Sequence, residues 1–265
     1  MVNGNRNSNL NDSFLIHVDG GYFAVPERTP TTETIGASVT AHFDQLESRL
    51  IEYIERADAV VGCVAWLTSK PILEALSAKA FVSILIQKED FLRPDLGGGG
   101  RAWKSTLRQM YDQLKENEIE RHAVDGSIVC NLSTSGDPRV APIRCVGFAG
   151  SESSRPRMHH KFLVFCSLDF VERAETEWPF DYYDIERYLT GNDLPRGFPQ
   201  LAPNAVWTGS FNLTQMATNS LENAVYIEDA RVAEQFYREW EYVFALSEPL
   251  DWEHEYCAPQ YRIGT

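Results

Sequence analysis

Apolar residues along this chain fall into short unbroken runs, set between stretches where they recur at helical spacing. Residues 59–66 and 81–87 are continuous apolar runs of strand length, the pattern of strands buried on both faces. Between them, Ser69-Lys70-Pro71 reads as a helix start, with Ser69 as N-cap and the proline in the first turn. Strand, helix and strand in that order predict a parallel crossover unit. Residues 38–57 place Phe43, Leu46, Leu50, Ile51 and Ile54 at helical spacing and are expected as one helix. Further helices are expected over 102–117 and 230–246, with a short one over 213–219. The remaining strand candidates are 14–18 and 22–25 around Gly20-Gly21, then 127–132, 143–149, 159–165, 205–208 and 224–228.

The pattern breaks over 169–204, which is rich in acids, aromatics and prolines, among them Glu175, Glu177, Trp178, Pro179, Phe180, Tyr182 and Tyr183. This stretch is expected as an insertion, either a surface flap or a lid or dimer contact, with one short helix near 183–189. Residues 1–12 are polar and expected as a flexible tail. Residues 247–265 show no pattern and are expected as a C-terminal tail, which leaves one domain over 13–246. Four glycines at 97–100 lack the Gly-Lys-Ser/Thr continuation of a phosphate-binding loop and read as a plain loop.

A length of 265 residues suits one large α/β domain. The chain has no apolar run of membrane-spanning length, and its start lacks the apolar core of a signal peptide. Its five cysteines (Cys63, Cys130, Cys145, Cys166 and Cys257) show no metal-ligand spacing. That predicts reduced thiols and a cytoplasmic location. The net charge of −14 argues against a simple nucleic-acid binder, because a polyanion is repelled by an acidic surface. Locally the balance reverses. Residues 153–168 contain no acid, but hold Arg155, Arg157, Lys161 and two histidines. A basic site on an acidic body predicts steep salt dependence and leaves room for a protein that recruits or restrains it.

Two short stretches carry the candidate chemistry. Met158-His159-His160-Lys161 opens an apolar run, and Thr208-Gly209-Ser210-Phe211-Asn212 closes another, followed by Glu222-Asn223. Strand residues two apart share a face, so His159 and Lys161 are expected to emerge together. So are Ser210 and Asn212. A nucleophile, a cation, neutral donors and a carboxylate suit phosphoryl transfer without a metal. Each piece alone is weak: His-x-Lys is a common strand start, Gly-Ser-x-Asn a common turn, and a lone Glu222 a strand-edge charge. The histidines elsewhere (His17, His42, His122 and His254) have no paired ligand spacing and read as structural.

Taken in order, these residues resemble the signature of the phospholipase D superfamily, His-x-Lys-x4-Asp followed by Gly-Ser-x-Asn and a downstream acid. The stretch from Thr208 to Glu222-Asn-Ala-Val is most similar to the single-motif bacterial endonuclease subgroup typified by Nuc. The resemblance implies a mixed, largely parallel α/β sheet flanked by helices. It implies a metal-independent phosphodiesterase without cofactor, with a nuclease acting on DNA or RNA as the first reading. His159 would be the nucleophile that forms a phosphohistidine. Lys161, Ser210 and Asn212 would hold the phosphate oxygens, and Glu222 would orient the imidazole. It also implies a homodimer in which the second His159 protonates the leaving oxygen. His160 is the rival for that role, but strand alternation points it away. Two departures stand out: Cys166 occupies the signature's Asp position, and the insertion separates Lys161 from Ser210. A phospholipid phosphodiesterase of the same superfamily and a non-catalytic scaffold are the alternatives.

Overall fold

The computed structural model describes residues 15–18, 21–24, 38–92, 102–114, 117–118, 132–133, 139–150, 155–172, 197–256, 258–259 and 262–263. In chain order the strands are β1 (Leu15–Val18), β2 (Gly21–Ala24), β3 (Ser38–His42), β4 (Ala59–Val64), β5 (Phe81–Gln87), β6 (Asn117–Glu118), β7 (Leu132–Ser133), β8 (Arg139–Val140), β9 (Ile143–Val146), β10 (Lys161–Glu172), β11 (Gly197–Gly209), β12 (Ala224–Glu228) and β13 (Arg262–Ile263). The helices are α1 (Leu46–Arg56), α2 (Lys70–Ser77), α3 (Ala102–Asp112) and α4 (Ala230–Ala245).

Seven strands form the central sheet in the order β3-β12-β11-β10-β4-β5-β9. Strands β4 and β5 run parallel, as the crossover predicts, and β9 joins them in parallel. The other four neighbouring pairs are antiparallel. The sheet is therefore mixed and flanked by helices as expected, while the expected parallel majority is corrected. The physical reason is that β11 and β12 are joined over residues 210–223 without the α-helical crossover that parallel pairing needs.

Burial on both faces explains the apolar runs. Val60, Val64 and Leu163 pack with Leu50, Ile54, Ile72 and Leu76 of α1 and α2. Val61, Cys63, Phe162 and Val164 pack on the other face with Tyr237, Trp240 and Phe244 of α4. Ser69 caps α2 by accepting from the Ile72 amide, as its sequence position implies. Asp229 caps α4 in the same way, accepting from the amides of Arg231 and Val232.

Several boundaries differ from expectation. Residues 38–42 are an edge strand and not helix. Their apolar spacing fits either period over so short a span, and pairing with β12 decides the outcome. Phe43, expected on the buried helical face, is 74% exposed. Both ends of the expected insertion are strand, since β10 runs to Glu172 and β11 begins at Gly197. Asn204 is the extra residue in that ladder, where Cys166 pairs with Pro203 after Phe165 pairs with Ala205. A bulge there accommodates Pro203, which has no amide to donate. The helix expected near 183–189, the glycine run at 97–100 and the tail at 1–12 lie outside the described residues. The start of the expected C-terminal tail, residues 247–252, is packed. Ser247 and Trp252 are buried, and Glu248 bridges Cys145 and accepts from the buried Lys88 ammonium at 2.6 Å.

Candidate active site

Alternating strand direction brings several chain ends to one edge of the sheet. The C-terminal ends of β4, β5, β9 and β11 meet the N-terminal ends of β10 and β12 there. All five sequence-predicted site residues lie along that edge.

His159 sits two residues before β10, in a stretch anchored from both sides. The buried Gln87 amide at the end of β5 donates to the carbonyls of Lys88 and Phe148 and accepts from the Met158 amide at 2.7 Å. The Ala65 amide beyond β4 donates to the His160 carbonyl at 2.9 Å. The strand-like alternation therefore extends ahead of β10. Met158 and Phe162 bury against the α4 face, and His160 meets Glu239 of α4 at 3.1 Å. Arg157, His159 and Lys161 point the other way. The Lys161 ammonium lies 3.2 Å from both ring nitrogens of His159 and donates to its carbonyl at 3.1 Å. The rival reading of His160 as the second acid is not favoured by its position on the α4 side.

The second half of the site is built by a close approach. A side chain at Gly209 would stand 2.3 Å from the Asn223 carbonyl oxygen, so only glycine lets β11 end so near β12. The Ser210 amide then donates to that carbonyl at 3.0 Å. Its hydroxyl donates to Glu222 at 2.5 Å and accepts from the Asn223 amide at 3.0 Å. Among the described contacts Glu222 reaches Ser210 and no hydrogen bond joins it to His159. Asn212 is placed by the next turn, where the Leu213 carbonyl accepts from the amides of Thr68 and Ser69. Its buried Oδ1 has no hydrogen-bond partner. A terminal amide can turn over, exchanging that acceptor for an N–H donor.

The electrostatics favour a neutral imidazole. Burial, then the charges of Lys161, His160 and Arg157, hold His159 below the ordinary histidine value of 6.5. Burial also lowers Lys161 from the usual lysine value, while the Glu222 carboxylate acts against that shift. The arrangement offers a nucleophilic nitrogen beside a cation, with a hydroxyl and an amide nearby.

Sequence reasoning missed the surroundings of His159. Trp66 stands edge-on to the imidazole with ring centroids 6.0 Å apart. Its indole N–H donates to Glu89, and the same carboxylate oxygen accepts from Arg157 at 2.8 Å. Neither Trp66 nor Glu89 belongs to a motif, and only the spatial adjacency of the β4 and β5 ends reveals them. Cys166 lies on the α4 face, 1% exposed, and burial with the nearby Glu234 charge pushes its thiol far up. A side chain at that position does not reach the site edge. Among the described residues no group of three or more His, Cys, Asp or Glu is placed to hold a metal ion. Nor is any described helix long and apolar enough to cross a membrane.

No protein-family model matches the sequence. An uncharacterized protein, L381, of Acanthamoeba polyphaga mimivirus is 30% identical over 226 residues, spanning 82% of this chain and 68% of that protein. The chain belongs to the family of L381. Solved structures that align with it include a phospholipase D family member, Nuc from Salmonella typhimurium. That alignment has a TM-score of 0.41 and 16% identity, covering 80% of this chain and 97% of Nuc. NucT from Helicobacter pylori aligns with a TM-score of 0.40 and 11% identity, covering 78% and 95%. The chemistry of the site rests on its own side chains.

Proposed function

We propose that this chain is a phosphodiesterase of the phospholipase D superfamily, acting as a nuclease. The observation that supports it best is the Lys161 ammonium held 3.2 Å from the His159 ring, on the sheet edge that also presents Ser210, Asn212 and Glu222. In this reading the neutral His159 attacks phosphorus, an N–P bond forms and the P–O bond to the leaving group breaks. Lys161 and Asn212 hold the non-bridging oxygens as charge builds on them. Glu222 fixes Ser210 and counterbalances Lys161. Water then attacks the phosphohistidine, and the imidazole returns to its starting state.

The leaving oxygen needs a proton from a second group. The reading assigns it to His159 of a second copy across a two-fold axis. Exposed apolar side chains at the site rim support such a contact. Leu221, next to Glu222, is fully exposed, and Met216 is 75% exposed. The same rim favours one alternative, a phospholipid phosphodiesterase docked on a bilayer. No carboxylate cluster suited to a metal enters the scheme, so hydrolysis is expected to survive chelation.

The test is a panel of labelled DNA, RNA and phospholipid vesicles assayed with EDTA, with light scattering on the same sample. Hydrolysis of nucleic acid by a dimer, with phosphate trapped on His159 after acid quench, is the expected result. Vesicle hydrolysis without nucleic-acid cleavage would move the assignment to the lipid reading. Loss of all activity in EDTA, restored by a divalent ion, would overturn the mechanism.

A further inference from the structure

We infer that Arg157 is a specificity-determining residue that contacts the phosphate next to the scissile one, so that the site selects a polymeric phosphodiester over an isolated one. The inference rests on the phosphodiesterase reading above. Three observations lead to it. First, the alternation that turns Met158 and His160 toward α4 puts Arg157 on the same side as His159 and Lys161. Residues two apart in extended chain stand about 6.5 Å apart. That is the scale on which neighbouring phosphates follow one another in a nucleic-acid strand, whereas a phospholipid head carries a single diester.

Second, Arg157 is held in place. Its Nη1 donates to Glu89 at 2.8 Å and its Nη2 to the Gly150 carbonyl at 3.1 Å. Gly150 adopts a positive φ of 98°, a backbone conformation that favours glycine. A guanidinium has five N–H donors, and two anchors leave others to meet an anion. The side chain remains 31% exposed. An arginine fixed this way loses little freedom when it binds. Third, Arg157 stands two residues before His159 on the same side, and its charge acts on the imidazole. The two-residue spacing places it near enough to share one substrate while displaced from the reacting atom. Arg155 stands two residues farther from His159 along the chain and is less exposed, at 20%.

The experiment compares a dinucleoside monophosphate, which has one diester, with the same dinucleotide carrying an added terminal phosphate at either end. For the unaltered enzyme the added phosphate raises kcat/KM at one end. In Arg157→Gln the ratio of the two kcat/KM values falls about tenfold, mostly through KM. The salt dependence of oligonucleotide binding loses about one unit of slope. Glu89→Gln separates contact from scaffolding. The amide oxygen it introduces still accepts from Arg157, so the anchor stays while the opposing charge is lost, and KM for the phosphorylated substrate falls, opposite in sign to Arg157→Gln. Equal loss on both substrates in Arg157→Gln, or the same direction of change in both variants, would assign the pair a structural role and overturn the inference. An unaltered ratio in Arg157→Gln would overturn it too. If the unaltered enzyme cleaves neither dinucleotide nor any oligonucleotide, the phosphodiesterase reading itself has failed.

Discussion

His159 and His160 are neighbours with the same side chain and opposite surroundings. His159 stands beside a lysine, edge-on to Trp66, on the side of Arg157 and Lys161. His160 meets Glu239 of α4 and packs edge-on to Phe162. The odd positions of this segment hold the candidate chemistry. The even positions, Met158, Phe162, Val164 and Cys166, bury against α4. One stretch of backbone thus supplies reactive groups to one side and anchors itself with the other. Position within the alternation, more than residue type, decides which histidine is a nucleophile candidate.

The comparison breaks most sharply at His159. His159→Ala is expected to lower kcat/KM by on the order of 10⁴ or more, with the melting temperature unchanged. A variant that retains substantial activity would place the nucleophile elsewhere. Next in size is Lys161→Gln, for which a loss on the order of 10²–10³ is expected from the missing charge on the phosphate oxygens. It also gives a readout independent of turnover. The neighbouring cation favours neutral His159, so its removal moves the NMR titration of His159 upward. The midpoint stays below 6.5, because burial is the larger cause of the shift. In the unaltered protein the sign works out the same way. A lowered imidazole value favours the neutral form that the proposed nucleophile needs, so the acid limb of kcat/KM is expected below 6.5. A limb above 6.5 would contradict the electrostatics of the site.

Much of this was legible in the sequence, for definite reasons. Apolar runs marked β4 and β5, Ser69 and Pro71 marked the start of α2, and the two-residue period put His159 and Lys161 together. Burial on both faces leaves such signals little ambiguity. The misreadings arose where a short segment fits two periods or where partners are distant in sequence. Residues 38–42 have no local mark of an edge strand, and only β12 makes them one. The long ladder of β10 and β11 hid in a stretch whose acids and prolines read as loop. Trp66, Glu89 and Gln87 were invisible because their role comes from the parallel neighbours β4 and β5 ending beside residue 159.

The even face can be tested by restoring the residue that the signature leads one to expect. Cys166→Asp would place a carboxylate among buried apolar side chains, with Glu234 as a nearby like charge. A buried charge without a partner costs about 3 kcal/mol. A lower melting temperature is therefore expected, without a gain in turnover per folded molecule. Higher kcat at unchanged stability would mean that the α4 face takes part in the reaction.

The smallest expected effect is at His160, and it tests how far the two faces are insulated. His160→Ala removes a half-exposed contact with Glu239, which is worth about 0.2–1 kcal/mol of stability. Packing on the site side is untouched, so kcat/KM above neutral pH is expected to stay within about twofold. The faces are coupled by charge, because positive charge on His160 disfavours protonation of His159. Removing it lets His159 take up its proton more readily, and the acid limb moves to slightly higher pH. A pH profile of kcat/KM for both proteins measures this. A displaced acid limb with equal alkaline rates would show electrostatic coupling across the strand. A large loss at every pH would make His160 a participant and end the division between the two faces.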